Sequence, residues 1–157
     1  MQKIMPCLWF DTQALEAAKF YASIFKRSKV GDVTYYGEGA PMPEGTVLTV
    51  EFKLEGQSFL ALNGGPVYKH TPALSLMVDC ADQKEIDALW AKLTAGGGEP
   101  GPCGWLTDKY GVSWQIVPRF MMKAIKDKNR ARTKRVMDAM MQMGKLDLAA
   151  LQKAYKG

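Results

Sequence analysis

The sequence predicts an α+β fold in which one strand–helix–strands unit is used twice and is followed by a helical extension. Three observations predict it. The stretch Gly56-Gln-Ser-Phe-Leu-Ala-Leu-Asn63 returns 55 positions later (111 − 56) as Gly111-Val-Ser-Trp-Gln-Ile-Val-Pro118. Cys7-Leu-Trp-Phe-Asp11 recurs as Ser75-Leu-Met-Val-Asp79. Each copy of that second motif precedes a helical pattern, carrying Phe20-Tyr21-Ala-Ser-Ile24 in one and Leu89-Trp90-Ala-Lys-Leu93 in the other. Repetition of this kind marks one supersecondary unit used twice.

The expected organisation is a single domain, 1–157, with module one at 1–65, module two at 73–118 and a helical tail at 119–157. Lys3–Phe10 is strand-like. Asp11 or Thr12 is the expected N-cap of a helix over Ala14–Phe25, with Leu15, Ala18, Tyr21, Ala22 and Phe25 on one stripe. Lys29–Tyr36 reads as a second strand and Thr46–Leu54 as a third, separated by the Pro/Gly-rich loop Gly37–Gly45. Glu55-Gly56 makes a hairpin turn into a fourth strand, Gln57–Asn63.

A linker containing His70 leads to the second copy, which opens with a strand over Ala73–Asp79. Asp82 and Glu85 form an acidic capping box for a helix running to about Thr94, which Gly96-Gly-Gly98 stops. Glu99–Cys103 reads as loop, Gly104–Thr107 as a short strand, Asp108–Gly111 as a turn and Val112–Val117 as the last strand. Beyond Pro118 the pattern is helical, with helices expected near 120–126, 130–143 and 147–155.

At 157 residues, with 47% hydrophobic and 24% charged side chains, the chain can bury a real core. No apolar run approaches the ~20 residues that span a bilayer, and the N-terminus lacks a basic-then-apolar signal. Cys7, Cys80 and Cys103 are odd in number and carry no Cys-x-x-Cys spacing, which argues against a disulfide framework and a zinc cluster. The expected compartment is the reducing cytoplasm, with no membrane partner. Residues 119–157 hold 11 Lys+Arg against 3 Asp, net +8, so residues 1–118 carry 10 − 13 = −3. Phe120 is the only aromatic between Arg119 and Arg135, so the tail reads as a solvated basic face rather than a nucleic-acid platform.

Strand alternation separates two faces. Leu74, Leu76 and Val78, with Leu48, Val50, Phe52 and Leu54, form an apolar side expected beneath the helices. The other side is mixed: Cys7, Trp9, Thr49, Glu51, Ser75, Met77, Ser113 and Gln115. A carboxylate and an amide among apolar neighbours suit a partly wet, ligand-accepting cavity.

Asn63-Gly-Gly65, the run Cys103-Gly-Trp-Leu-Thr-Asp-Lys-Tyr-Gly-Val-Ser-Trp-Gln-Ile-Val-Pro118 and Ala139-Met-Met-Gln-Met-Gly-Lys145 resemble the PhnB-like branch of the vicinal oxygen chelate superfamily. That superfamily includes glyoxalase, bleomycin-resistance and extradiol dioxygenase proteins, and the branch is often labelled demethylubiquinone methyltransferase. The resemblance covers nearly the whole chain. It implies paired βαβββ modules, each forming half of a cupped mixed sheet, usually as a homodimer.

Two expectations about chemistry follow. A methyltransferase using S-adenosylmethionine relies on a Gly-rich loop between a strand and a helix. Here Gly64-Gly65 precedes a proline-containing linker, and Gly96–Gly98 follows a helix. The superfamily's metal enzymes place His, Glu or Gln at positions matching Met5, Leu60, Ala73 and Gln115, of which only Gln115 offers an oxygen ligand. No metal and no cofactor are expected.

Among single residues, Gln115 is either a ligand-binding amide or a structural one. Trp9 faces the mixed side and could stack on a planar ligand, whereas Trp114 faces the core. Cys103 has no adjacent His or helix N-terminus to activate it. Asp108 reads as a turn former and Glu51 as the more interesting carboxylate. Met121, Met122, Met137, Met140, Met141 and Met143 form an apolar stripe expected against the sheet or a partner chain.

The expected function is binding of a small molecule of unknown identity in a cup lined by Trp9, Glu51, Ser75, Met77 and Gln115, with Asn63 and Trp105 near the rim. One alternative is an unconventional enzyme using Glu51, Gln115 or His70. The other is an interaction module acting through the basic tail.

Overall fold

A computed structural model describes residues 2–157. The chain divides into two compact units, Met1–His70 and Thr71–Gly157. Each is built on its own four-stranded mixed sheet.

In the first unit the elements run β1 (Cys7–Phe10), α1 (Ala14–Ile24), β2 (Lys29–Tyr35), β3 (Val47–Leu54) and β4 (Gln57–Asn63). The strand order is β1-β4-β3-β2, with β1 parallel to β4 and the remaining pairs antiparallel. The β3–β4 hairpin turns on Glu55 and Gly56, both at positive φ (48° and 84°), as a two-residue turn of this twist requires.

Helix α1 buries Ala14, Ala17, Ala18 and Tyr21, and the core beside it holds Leu8, Phe10, Val50, Phe52, Phe59 and Ala61. This buried stripe is rotated from the expected one, leaving Leu15 and Ala22 half-buried. Three small side chains in a row let the helix backbone approach the sheet closely. The N-cap also differs from expectation. Neither Asp11 nor Thr12 caps the helix, and Gln13 occupies the cap position without a side-chain bond. The Ala14 N–H instead donates to Asn63 Oδ1 at 2.8 Å, so the end of β4 caps the helix from across the chain.

The second unit runs β5 (Ser75–Cys80), α2 (Gln83–Thr94), β6 (Glu99–Pro100), β7 (Trp105–Thr107), β8 (Ser113–Pro118), then α3 (Arg119–Ala124), α4 (Arg130–Met140) and α5 (Leu148–Lys156). Its sheet order is β5-β8-β7-β6, the same topology as the first. The expected N-cap forms, with Asp82 accepting from the Glu85 N–H at 2.9 Å, while the Glu85 carboxylate reaches one residue further back than a capping box requires, to the Ala81 N–H at 2.7 Å.

Several boundaries move, β1 starting at Cys7 rather than Lys3 and α4 ending at Met140 rather than Met143. Glu99–Pro100, expected as loop, pairs with β7 and completes the sheet. Strand β5 starts at Ser75 rather than Ala73, which leaves Leu74, expected beneath a helix, 64% exposed.

The tail has a small core of its own. Met121, Ala124, Val136, Leu146 and Leu151 are buried together, with Phe120, Met137, Met140, Met143 and Tyr155 packed against them. Most of the methionine stripe is therefore internal to the tail, and only Met141 stands well exposed. Arg135 closes the arrangement by donating to the Ala154 and Tyr155 carbonyls at the end of α5.

The tail is bonded directly to the sheet it follows. The Cys103 and Gly104 N–H groups donate to the Met143 and Gly144 carbonyls at 2.7 and 2.8 Å. The Gln83 amide donates to Leu146 O and accepts from Leu148 N–H, and Lys145 pairs with Asp87. No helix of the described residues is long and apolar enough to cross a membrane.

Candidate functional site

Sheet register decides which side chains share a face. In the second unit Ser75 stands beside Ser113 and Met77 beside Gln115, while Trp105 and Thr107 pair with Gln115 and Ser113 from the other side. Ser75, Met77, Trp105, Thr107, Ser113 and Gln115 therefore form one face. On the opposite face Leu106, Trp114 and Ile116 are buried, as are Ile86, Leu89 and Leu93 of α2. Trp114 is 2% exposed, as its parity predicts. Its indole N–H donates to Asp108 Oδ2 at 2.8 Å, while Asp108 Oδ1 accepts from the Tyr110 and Val112 N–H groups. Asp108 is thus a buried turn anchor.

Near the middle of the open face Gln115 Nε2 donates to Ser75 Oγ at 2.8 Å. Ser75 accepts that bond, so its hydroxyl proton points elsewhere, and Gln115 keeps its carbonyl as an acceptor. The couple therefore presents one donor and one acceptor beside the indole of Trp105. A cleft of about 430 Å³ flanks that indole, walled by Pro72, Glu99, Pro100, Pro102, Thr107 and Ser113.

The wall is stiff for stated reasons. Two prolines restrict φ, Gly101 N–H donates to Trp105 O, and Trp105 N–H returns to Pro102 O. Cys103 (φ 57°) and Gly104 (φ 82°) turn the chain back, and a Cβ on Gly104 would stand 2.9 Å from Ile116 O and 3.0 Å from Leu146. Only glycine fits there.

In the first unit Trp9, Glu51 and Cys7 share the open face with Thr49, Leu60 and Leu62. Trp9 is half-buried, donating from Nε1 to Gly65 O at 2.9 Å and meeting Tyr68 edge-on at 5.0 Å. Glu51 is exposed and lines a separate cleft of about 340 Å³ with Lys29, Asp32, Lys53 and Ser58.

Asn63, expected near a rim, belongs to the other side. It shares parity with buried Phe59 and Ala61 and is 5% exposed, and its amide is taken up by Ala14 N–H and Val47 O. Its role here is to cap α1. His70 lies against Phe10, ring centroids 5.3 Å apart. The Cys80 thiol is pushed up to about 12, first by burial and then by Glu85, Asp79 and Asp82, which makes it a poor nucleophile. Cys103 Sγ sits 3.7 Å from Met141 Sδ.

Sequence reasoning missed Thr107, Lys29, Asp32 and Lys53. Thr107 stands two residues from Trp105, and Lys53 two residues from Glu51, so period-two counting would have found both.

The metal positions implied by the fold do not fit a divalent ion. Met5, Leu60 and Ala73 offer no oxygen or imidazole, and among the described residues no three His, Cys, Asp or Glu side chains gather. Neither glycine run opens a helix after a strand: Gly64-Gly65 leaves β4 for an irregular linker, and Gly96–Gly98 follows α2.

A family model described as 3-demethylubiquinone-9 3-methyltransferase matches residues 2–117. A PhnB protein from Bacillus cereus is 38% identical, with TM-score 0.66 over 74% of this chain and 99% of its own. Protein PA1353 from Pseudomonas aeruginosa is 19% identical, with TM-score 0.61 over 75% of this chain and 98% of its own. The fosfomycin resistance protein FosX from Listeria monocytogenes is 14% identical, with TM-score 0.51 over 75% of this chain and 93% of its own. The last two show the fold alone. No curated protein matches the chain. The match over 2–117 and the B. cereus relative place this chain in the family described as 3-demethylubiquinone-9 3-methyltransferase, with a glyoxalase/bleomycin-resistance fold.

Proposed function

We propose that this chain binds a small, planar or mildly polar organic molecule without a resident metal, chiefly through Trp105, Gln115, Ser75 and Met77. The observation that carries the reading is the Gln115–Ser75 couple, one donor and one acceptor on the same sheet face as the Trp105 indole. Stacking and one or two hydrogen bonds, each contributing roughly 1 kcal/mol, suit such a ligand. Neither an amide nor an aliphatic hydroxyl exchanges protons near neutral pH unaided, so the couple orients a ligand rather than transferring its protons. Trp9 is a separate candidate contact, on the first unit's own open face. The proposal includes a homodimer in the cytoplasm, supported by the exposed apolar Leu74, Met77 and Met141 and by three free cysteines.

The family's description names methyl transfer. The absence of a strand–Gly-rich-loop–helix element in this chain speaks against S-adenosylmethionine as its donor.

Native mass spectrometry of the purified protein, with metal analysis of the same sample, tests the reading. An organic adduct lost in Gln115→Leu while the fold is retained is expected. One tightly held divalent ion per chain, or micromolar binding of S-adenosylmethionine by calorimetry, would sink it.

A further inference from the structure

The first unit carries a second cleft whose charges are arranged against the usual rule. On facing strands of a sheet, opposite charges attract and like charges directly opposite destabilise. Here Lys29 of β2 stands directly opposite Lys53 of β3. Two residues along β3, Glu51 faces a break in the ladder, because pairing shifts between Val30 and Val33. Gly31 and Asp32 occupy that bulge, and a Cβ on Gly31 would sit 3.3 Å from Glu51 O. The bulge sets Asp32 on the cleft that Glu51 lines.

Like therefore sits beside like: two ammonium groups at one end, two carboxylates at the other. Two residues of strand, roughly 7 Å, separate the ends. Among the described residues none of these four side chains enters an ion pair. Exchanging one lysine for a glutamate would have paired them internally, yet the cleft of about 340 Å³ lies open between them. Met5 and Ser58 also line the cleft, offering an apolar side and a hydroxyl.

We infer that this cleft binds a small zwitterion, its anionic group toward Lys29 and Lys53 and its ammonium toward Glu51 and Asp32. A ligand of that polarity relieves both like-charge pairs at once, which neither a simple anion nor a simple cation can do. All the residues of this cleft belong to the first unit, and the inference does not rest on the Trp105 cleft.

The test uses three probes of one length on the full chain, followed by amide NMR shifts: 5-aminopentanoate, pentanoate and pentylammonium. Saturable shifts confined to residues 29–32 and 51–58 are expected, with the zwitterion at least about tenfold tighter than either monopolar homologue. Lys53→Glu should abolish binding while raising the denaturation midpoint, because residue 53 then pairs with Lys29. Gln115→Leu should bind 5-aminopentanoate as the parent does, which separates this proposal from the one above. Equal affinity for all three probes, no saturable shift, or parent-like binding by Lys53→Glu would overturn it.

Discussion

The indole of Trp9 occupies the space where a side chain at Gly64 would stand. A Cβ built on Gly64 would lie 2.2 Å from Trp9 Cζ2 and 2.3 Å from Cη2. The neighbours complete the clamp: Asn63 caps α1 and Gly65 O accepts the indole N–H. Residues 63–65 thus join the end of β4 to β1 and to the start of the helix.

Gly64→Ala should therefore lower stability by about 1–3 kcal/mol, since the ring must move. In a Trp9→Leu background the same change should cost less, an interaction that a double-mutant cycle reads directly. Gly37→Ala, with nothing within 4 Å of the added carbon, should leave the urea midpoint in place.

Asp108 serves Trp114 and the turn together. Asp108→Ala strands the buried indole N–H and two backbone donors, so a loss of about 1–3 kcal/mol or more is expected in chemical denaturation. Trp114→Phe removes the donor along with its need and should lessen the cost of Asp108→Ala. Trp114→Ala should cost about 3–5 kcal/mol.

Within the methionine stripe two positions should part company. Met137 packs on the tail core, and Met137→Glu should destabilise by about 2–5 kcal/mol. Met141, 61% exposed within its own chain, should leave the fold intact as glutamate while weakening association between copies. A change in sedimentation caused by Met141→Glu alone would mark it as a contact between copies.

Acid should loosen the tail. The Tyr155 hydroxyl and then the Asn129 N–H hold the Asp127 carboxyl below its ordinary value of 3.8, and Lys145 and then Gln83 do the same for Asp87. A carboxyl depressed in the folded state stabilises above its unfolded value and loses that contribution as pH falls through the folded one. Thermal melts should therefore drop as pH falls below about 4, and Asp127→Asn should flatten that dependence.

The doubled topology was legible because strand parity and turn glycines are local signals: Gly56 and Gly111 both turn where the repeat places them. The open face of the second sheet was legible for the same reason, since Ser75, Met77 and Gln115 alternate in step. What escaped was long-range. Asn63 reads as an exposed strand end until the register puts it beneath α1, where it replaces the expected Asp11 or Thr12 cap. Glu99–Pro100 has too few residues to show a period, and only its pairing with β7 makes it a strand. The bulge at Gly31 and Asp32 leaves no periodic trace, so the two lysines beside Glu51 passed as surface.

The bonds from Cys103 and Gly104 to Met143 and Gly144 span some forty residues of chain, and that distance is also a delay. A ribosome adding about 5–20 residues per second delivers the loop beside Trp105 seconds before it delivers the segment that steadies it. The first unit is by then fully synthesised. A nascent chain therefore has its charged cleft before its aromatic one, and a stall beyond Pro118 would leave a complete second sheet whose binding wall is still loose.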